Sequence, residues 1–507
     1  MAAFQSNLPP GSTPTRPFNC TVLFSFLVLF FVMVFNFLLT MFYGHSSAPK
    51  MKFQTGDNSI ILPESERPLE VCVLGVDPDT VPCFFMPELR EGRIQDPARD
   101  IEIREQLFWL RFELSHGQIF NALPISTLVY VALPDPKFVK ESHGWEEGWL
   151  KDYLEVRCHW TKNDIRQRLR FFKTHPALIW TQDVGKMLGK DSHGRRMIFL
   201  GPQDQDQYRC FVKSLCDAYP GDFVERELPR GVSAEGGDED LVRAPSGEIT
   251  FFVGRHRALR YLEIASGASL LGQDLDEDRI AQARVAFSSA FEGLPVVFVS
   301  RDILRNPELG NEEMFHLDMS AAVVGNGIDN QAFVPTYIDH PVDRMSGLPL
   351  DPDFVKSLQA EYDAIASQLK EMGFPVNRLQ IDDHPVRSPA NLVRFYDPSS
   401  GRCKVLLAKY PSQVTGSADM CTQEVLRNCL GDLKTDAANW EKEPTVKNYL
   451  GLKNGIQAAW NVMDRVPAES DKIFEDNAAL FRKAGIEVVP VADFAWGAGG
   501  LHCQMLH

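Results

Sequence analysis

The longest apolar run of the chain lies near its beginning. Residues 22–43 consist of Leu, Phe, Val, Met and Tyr with three polar interruptions, and no charged residue occurs between Arg16 and Lys50. At ~1.5 Å per residue, a helix of this length spans the ~30 Å hydrocarbon layer of a bilayer. The run is also longer than the roughly 7–15 apolar residues of a cleavable signal peptide. The pattern therefore predicts a transmembrane anchor over 22–43, preceded by a polar tail over 1–21.

The charges on the two sides of this segment orient it only weakly, because Arg16 precedes it while Lys50 and Lys52 follow it. A large domain behind an N-terminal anchor is usually translocated, which predicts a lumenal or extracellular location in the ER or Golgi pathway. The absence of an Asn-x-Ser/Thr sequon after Asn19 favours the alternative, a domain on the cytosolic side. Both locations stay open.

Beyond the anchor, residues 44–68 are polar and predict a linker, whereas residues 69–507 alternate short β-branched runs with helical stretches. Two strands, a helix and a strand recur several times, which indicates an α/β domain built from repeated ββαβ units. The predicted strands are 70–74, 126–132, 176–180, 196–200, 241–243, 249–254, 294–299, 312–319, 321–325, 391–396, 404–408 and 485–491. The predicted helices are 149–172, 206–219, 276–291, 353–372 and 470–484.

Composition narrows the class of function. The chain has 507 residues with 44% hydrophobic side chains, enough for a large core, and a formal net charge of −16. Nucleic acid is disfavoured as a partner because its binding needs a basic face. An acidic surface suits a cationic substrate, although solubility alone also explains it. The ten cysteines include no C-x-x-C pair, so no structural zinc site is expected. The sequence leaves open whether disulfides join Cys72 to Cys83 and Cys421 to Cys429.

Groups that can do chemistry occur where predicted strands begin or end. Cys503 follows the predicted strand 485–491 and a glycine-rich loop, a position typical of a nucleophile facing a pocket. His316 and Asp318 are two residues apart in a predicted strand, so their side chains are expected on one face. Asp183 and Glu235 occupy comparable positions in other units.

A cysteine with a histidine is a common thiol nucleophile and base. Several carboxylates beside them would raise the pKa of the thiol and repel an oxyanion, so they do not suit attack on an ester or a peptide. They do suit a planar cation, because a guanidinium presents five N–H donors that carboxylates bind in its plane. The residues therefore predict a guanidino substrate.

This set resembles the guanidine-modifying, or pentein, superfamily, which includes arginine, agmatine and protein-arginine deiminases and the amidinotransferases. The Glu-Gly-Gly-Asp motif at 235–238 is similar to that of arginine deiminases. The Trp-Thr-Gln-Asp motif at 180–183 is similar to that of protein-arginine deiminases. Four motifs stand in the family's order: Trp180-Thr181-Gln182-Asp183, Glu235-Gly236-Gly237-Asp238, His316-Leu317-Asp318 and Gly499-Gly500-Leu501-His502-Cys503. The resemblance covers about the C-terminal two thirds, with the motifs inside 175–507, and implies a five-bladed α/β propeller of ββαβ units.

The resemblance also implies the roles of the residues. Cys503 would attack the guanidinium carbon, and His316 would protonate the leaving amine and then activate water. Asp183 and Asp318 would bind the substrate while Glu235 supports them. The products would be a ureido group, citrulline where the substrate is arginine, and ammonia, formed through a covalent thiouronium. No cofactor or metal is implied, and calcium, which protein-arginine deiminases use, is left open.

Free arginine is disfavoured as the substrate. Arginine deiminases hold its carboxylate with an arginine four residues after the glycine that ends the hairpin, where this chain has Ala258. Arg257 stands one position short and, like His256, is expected at the surface; His502 is expected to be structural. Arginine in a protein or peptide is therefore the favoured substrate. The alternatives are deimination of a small guanidino compound such as agmatine, amidino transfer, and a non-catalytic binding protein on the same scaffold.

Overall fold

Strands and helices alternate along the chain, which is therefore an α/β protein, as the sequence predicts. The computed structural model describes residues 61–507 except 76–115, 136, 138–146, 157, 175–180, 203–205, 271–275, 301–315, 344–347, 384, 410–467 and 493–501. The predicted tail and anchor, most of the linker and the predicted strand 176–180 lie outside the described residues. Among the helices that are described, none has the length and apolar character needed to cross a bilayer.

The described strands form five three-stranded sheets and one two-stranded ribbon. The three-stranded sheets contain, in chain order, β1–β3 (Val71–Gly75, Leu128–Pro134, Leu169–Thr174), β4–β6 (Lys186–Lys190, Arg196–Leu200, Phe223–Glu227), β7–β9 (Glu239–Arg243, Ile249–Gly254, Val296–Val299), β10, β11 and β14 (Ala322–Val324, Gln331–Tyr337, Val376–Ile381), and β15–β17 (Val393–Asp397, Arg402–Lys409, Glu487–Ala492). The ribbon pairs β12 (Val342–Asp343) with β13 (Leu348–Pro349).

Four of the five sheets share one topology. Their first two strands are antiparallel, and their third strand is parallel to the second. A parallel neighbour needs a crossover connection, and helices supply it. The helices are α1 (Gln118–Ala122), α2 (Glu147–Val156), α3 (Lys162–Arg168), α4 (Asp206–Ala218), α5 (Arg255–Ser266), α6 (Glu277–Ala290), α7 (Leu317–Ser320), α8 (Pro352–Glu371) and α9 (Ala468–Lys483). The predicted ββαβ repeat is thus present.

The first sheet differs, because β1, β2 and β3 are all parallel. Its antiparallel neighbour comes from the far end of the sequence, where Leu506 bridges to Val73. The two residues exchange backbone hydrogen bonds of 2.9 and 3.2 Å. A segment distant in sequence therefore completes the first unit.

Helix α8 shows how local sequence sets these elements. The Asp351 side chain accepts from the backbone N–H groups of the first turn, and proline occupies the first helical position, where its missing N–H costs nothing. Residues at helical spacing bury one face, as predicted: Leu358, Tyr362, Ile365 and Leu369 are all at most 1% exposed. Burying a side chain of this size contributes roughly 1.5–3 kcal/mol.

Among the described residues, five apolar cores lie between the sheets. Four of them join residues of consecutive sheets along the chain, and the fifth joins the last sheet, through Val393 and Leu406, to the first, through Cys72 and Val129. Cys72 is a buried free thiol. The other cysteines of the two candidate disulfides lie outside the described residues: Cys83, Cys421 and Cys429.

Two parts of the sequence-based assignment need correction. The predicted helix 149–172 is two helices and a strand, α2, α3 and β3. Thr161 and Asp164 cap each other in a capping box that starts α3, and the residues after it join the first sheet. The end of the predicted linker is part of the domain, because the Glu64 and Ser65 side chains are buried within it.

Candidate active site

The five side chains that the sequence selects come together, although they belong to different units of the chain. Each stands on or beside a short helical turn that leads into the outer antiparallel strand of a sheet, or, for Cys503, into the bridge to β1. All except Glu235 are at most 9% exposed. The residues are Asp183, Glu235, His316, Asp318 and Cys503.

The Cys503 thiol, the His316 imidazole and the Asp183 carboxylate form the centre of the site. One polar atom of each lies within 4.8 Å of the other two. His316 Nδ1 is 3.7 Å from Asp183 Oδ1, and its Nε2 is 3.1 Å from Glu235 Oε1. The ring thus stands between two carboxylates with the thiol beside it, as a nucleophile and its proton-transfer partner require.

Asp318 is held by three donors on one of its oxygens. Its Oδ2 accepts from Asn391 Nδ2 at 3.0 Å, from His502 Nδ1 at 2.8 Å and from the Cys503 thiol at 3.5 Å. Asn391 also donates to the Cys503 sulfur at 3.3 Å and accepts from the backbone N–H of His502 at 2.7 Å. These contacts fix the carboxylate beside the thiol.

Arg257 is buried, whereas the sequence predicted a position at the surface. It is 6% exposed and its guanidinium forms ion pairs with Glu235 and Asp238, with Nε donating to Asp238 Oδ2 at 2.6 Å. His256 Nε2 lies 2.9 Å from the same carboxylate and is partly buried. The Arg257 guanidinium stabilises this arrangement, because burying the Glu235 and Asp238 carboxylates without a cation would cost several kcal/mol.

Two glycines of the Glu-Gly-Gly-Asp motif allow this close packing. A Cβ at Gly237 would lie 2.5 Å from His316 Nδ1, and a Cβ at Gly236 would collide with the backbone oxygen of Gln182. No side chain fits at either position without displacing its neighbour. The motif therefore brings backbone directly against the imidazole.

The imidazole and the thiol have shifted pKa values. Burial opposes the charged form of His316, but the Asp183 and Asp238 carboxylates outweigh it and raise the His316 pKa well above its ordinary value. Burial raises the pKa of Cys503 to about 12, and the Asp318 carboxylate adds to this, while His316 opposes it. Both shifts favour the protonated forms, an imidazolium and a neutral thiol.

The carboxylates divide into two kinds. Burial would raise the pKa of Glu235, but the Arg257 guanidinium outweighs it and lowers that pKa to about 2. Asp238 is shifted downwards in the same way, against burial and by the same arginine. Burial raises the pKa of Asp183 well above its ordinary value despite His316, and Glu235 and Asp318 raise it further. Asp183 thus lacks the arginine that Glu235 and Asp238 share, and the charge that offsets its burial is that of His316, at 3.7 Å.

Two carboxylate oxygens at the centre of the site are left unsatisfied. Asp183 Oδ1 and Asp318 Oδ1 are buried and accept no hydrogen bond from any described residue. A buried acceptor without a donor costs about 1–3 kcal/mol, and more when it is charged. A ligand with N–H donors would satisfy both.

The local conformation at His316 and Asp318 differs from the prediction. They are not in a strand, because residues 317–320 form the single turn of helix α7 with His316 as its N-cap. The rest of the predicted strand, 312–315, lies outside the described residues. The two side chains reach the site from a helical turn, and strand alternation does not explain their proximity.

Sequence reasoning missed Asn391 and the roles of Arg257 and His502. Asn391 opens the predicted strand 391–396, which is the position that singled out the other candidates, so this pattern could have found it. Nothing in the sequence links Arg257 to Glu235 and Asp238, because that contact depends on the hairpin of β7 and β8. His502 contacts the Asp318 carboxylate through Nδ1, so it is part of the site and positions one of its acids.

Metal-binding residue types also meet in three sets among the described residues, with ligand atoms within 4.8 Å of each other. The sets are Asp183, His316 and Cys503; Glu235, Asp238 and His316; and Glu64, His502 and His507. Each contains an imidazolium or touches a resident cation: Arg257 binds the second set, and Lys186 and Arg394 bind Glu64. These charges compete with a metal ion.

No family model and no curated protein matches the chain. Among solved structures, a putative arginine deiminase from Porphyromonas gingivalis is similar to it, with 14% identity, a TM-score of 0.42, and coverage of 88% of this chain and 97% of that one. The substrate-bound N-terminal domain of ArgZ, an arginine dihydrolase from cyanobacteria, is 12% identical, with a TM-score of 0.30 and coverage of 72% and 88%. The same domain covalently bonded to a reaction intermediate is 13% identical, with a TM-score of 0.29 and coverage of 72% and 87%. Likeness at this level carries no assignment of activity, which has to come from the side chains.

Proposed function

We propose that the protein is a cysteine-dependent deiminase, which hydrolyses a guanidino group to a ureido group and releases ammonia. The observation that carries the proposal is the pair of unsatisfied carboxylate oxygens, Asp183 Oδ1 and Asp318 Oδ1, beside the thiol of Cys503. A guanidinium offers N–H donors in one plane and a positive charge, and so satisfies both acids at once. It also presents its carbon to the sulfur.

The cationic substrate would activate the nucleophile. Its positive charge, placed between Asp183 and Asp318, offsets these two carboxylates, which add to burial in raising the Cys503 pKa. The thiol then loses its proton to solvent, and the thiolate attacks the guanidinium carbon to give a neutral tetrahedral adduct. The imidazolium of His316 protonates one amino group, which leaves as ammonia, so that a thiouronium cation remains on the sulfur.

Water completes the reaction. Neutral His316 accepts a proton as water adds to the thiouronium carbon, and the C–S bond then breaks to give thiolate and the ureido product. The released ammonia takes up the last proton, so that guanidinium and water become a urea and ammonium. Glu235 holds His316 through Nε2 at 3.1 Å and is itself fixed by Arg257.

Arginine in a protein or peptide is the substrate that we propose. Binding of a free amino acid would need a cation for its carboxylate, and Arg257, the nearest candidate in the sequence, has both its ionic partners in Glu235 and Asp238. A peptidyl arginine carries no such carboxylate. The same reasoning leaves agmatine, which also lacks it, as the competing small substrate.

We further propose that the five three-stranded sheets close into a five-bladed propeller with the site at its centre. The five apolar cores support this, since they join each sheet to the next and the last to the first. The site residues lie on turns that lead into the edge strands of the sheets. In a closed ring these turns would face the axis.

Ammonia release from an N-acylated arginyl peptide tests the activity. We expect release by the wild type, none by Cys503→Ala, and unchanged release by Cys210→Ala, which removes an exposed thiol of helix α4. Equal release by wild type and Cys503→Ala would refute the deiminase. Free arginine and agmatine in parallel assays identify the substrate class. Capture of the amidino group by added glycine would instead identify an amidinotransferase.

We also keep the anchor over 22–43 as a proposal, with the domain on the lumenal or extracellular side. Full-length protein should stay in the membrane fraction after alkaline carbonate extraction. Its domain should resist protease until the vesicles are opened, whereas digestion of intact vesicles would place the domain in the cytosol.

A further inference from the structure

A second cavity lies behind the candidate active site. It has a volume of about 200 Å³ and is lined by the end of the predicted linker, by strands β1, β4 and β15, and by His507. His502 and Glu64 separate it from Asp318: His502 Nδ1 contacts Asp318 at 2.8 Å, and its Nε2 is 4.0 Å from Glu64. The proposed reaction makes no use of this cavity.

Cationic side chains outnumber acidic ones around the cavity. Four arginine and lysine side chains line it, against two glutamates. Glu70 binds both Lys190 and Arg196, so one carboxylate serves two cations. The cations are Arg67, Lys190, Arg196 and Arg394.

Two guanidinium groups of this lining have unused donors. Arg394 is 5% exposed, and Asp240 and Glu64 bind its Nη2, but its Nε donates no hydrogen bond within the described structure. Arg67 Nη2 is also buried without a hydrogen bond, at 3.9 Å from Glu64 Oε1. A guanidinium can only donate, so both groups need an acceptor that the described residues do not provide.

The acids of the lining do not fill this need. Both oxygens of Glu64 are engaged, Oε1 by Lys186 and Oε2 by Arg394. Burial lowers the pKa of Arg67, and the neighbouring Arg394 and Arg196 guanidinium groups lower it further against the pull of Glu64. Another cation would therefore be repelled here, while an anion would relieve the crowding of like charges.

Apart from these charged groups and His507, the lining is mainly apolar. Leu62, Leu69, Val71, Met187 and Phe395 contribute side chains to the same cavity. A ligand matched to this surface has a hydrocarbon body and one anionic end. An inorganic ion would leave the apolar wall uncovered.

We propose that this cavity binds a small organic acid, with its carboxylate on Arg67 and Arg394 and its apolar body against Met187 and Phe395. The observation that carries the inference is that two arginines with unused guanidinium donors line one cavity together with an apolar wall. The site is independent of the proposed deiminase activity, since no residue of the reaction lines it.

Hexanoate is a suitable probe, and titration calorimetry on the purified full-length protein measures its binding. We expect a Kd of about 1 mM or below, and no measurable binding of hexanamide, which has the same length without the charge. Arg67→Gln should weaken hexanoate binding at least about tenfold. Arg209→Gln, which removes a surface cation paired with Glu227, should leave it unchanged.

A measurement on the wild type serves if the variant fails to fold. Arg67 is partly exposed, so phenylglyoxal should modify it, and hexanoate should slow that modification at least about threefold at a concentration several times its Kd. Peptide mapping identifies the residue. Absence of hexanoate binding, equal binding of hexanamide, or no protection of Arg67 would overturn the proposal.

Discussion

Two regions of this protein bury carboxylates in contrasting ways. Around Glu64, burial opposes ionisation, but Lys186 and Arg394 lower the carboxylate's pKa well below its ordinary value. At the candidate active site, Asp183 is also buried, yet its pKa is raised, because burial is offset only by His316 and three more acids lie nearby. A buried acid that is paired with lysine or arginine side chains stabilises the fold. A buried acid without such partners is suited to binding a cationic ligand.

The largest expected effect comes from removing the resident cation of the first region. Lys186→Met leaves Glu64 with less neutralising charge in a position that is 3% exposed. Loss of one partner of a buried pair should lower the free energy of unfolding by about 3–5 kcal/mol. Urea denaturation measures it. Lys190→Met is the matched control, since that lysine is 43% exposed and its ion pair should contribute less than about 1 kcal/mol.

The same kind of change in the second region should affect activity more than stability. Asp183→Asn and Asp318→Asn keep the shape of the side chain but remove the charge that we propose binds the substrate cation. We expect deimination to fall by about 10²–10³-fold, while the free energy of unfolding should change less than it does in Lys186→Met. Asp363→Asn, on the surface of helix α8, is the control. A large loss of stability without loss of activity would remove the contrast between the regions.

The pH dependence of stability should separate the regions as well. The His316 pKa is raised in the folded state, so its contribution is fully present below about pH 6.5 and is lost as the pH rises through the folded value. The Glu64 pKa is lowered, so its contribution is present above its unfolded pKa and is lost as the pH falls. Between pH 6 and pH 9, His316→Gln should therefore show a smaller decline in unfolding free energy than the wild type. Parallel curves for the two proteins would contradict the shift.

The smallest expected effect concerns the glycine that touches the imidazole. Gly237→Ala would place a methyl group 2.5 Å from His316 Nδ1, so the ring has to move. Because proton transfer depends on the position of the ring, activity should fall about tenfold or more. Gly247→Ala in the turn between β7 and β8 has open space around it but a positive φ of +85°, so it should lower stability slightly and leave activity unchanged.

The sequence predicted most of the repeat because the pattern of each unit is local. Helix α8 and the hairpin of β7 and β8 carry their own caps, turn and amphipathic spacing, and both are confirmed. Helix α5 was missed because its N-cap, Gly254, provides no side-chain hydrogen bond, and its first turn is charged. Strand β3 was read as helix because its pairing with β2 is not visible in its own residues.

The candidate site was predictable in its residues and less so in its contacts. The motifs named Asp183, Glu235, His316, Asp318 and Cys503, and the structure brings all five together. The partners that hold these side chains could not be predicted, because Arg257, Asn391 and His502 act through contacts between distant turns. Charge balance in a buried site is a property of the assembled units.

The bridge between Val73 and Leu506 ties the timing of folding to the chemistry. Cys503 stands three residues before that bridge, so the sulfur takes its final place only when the two remote segments have met. Contacts of such long sequence separation carry a large loop-closure entropy and form slowly. A newly synthesised chain would thus keep its thiol apart from the acids and the imidazole until the first sheet is completed.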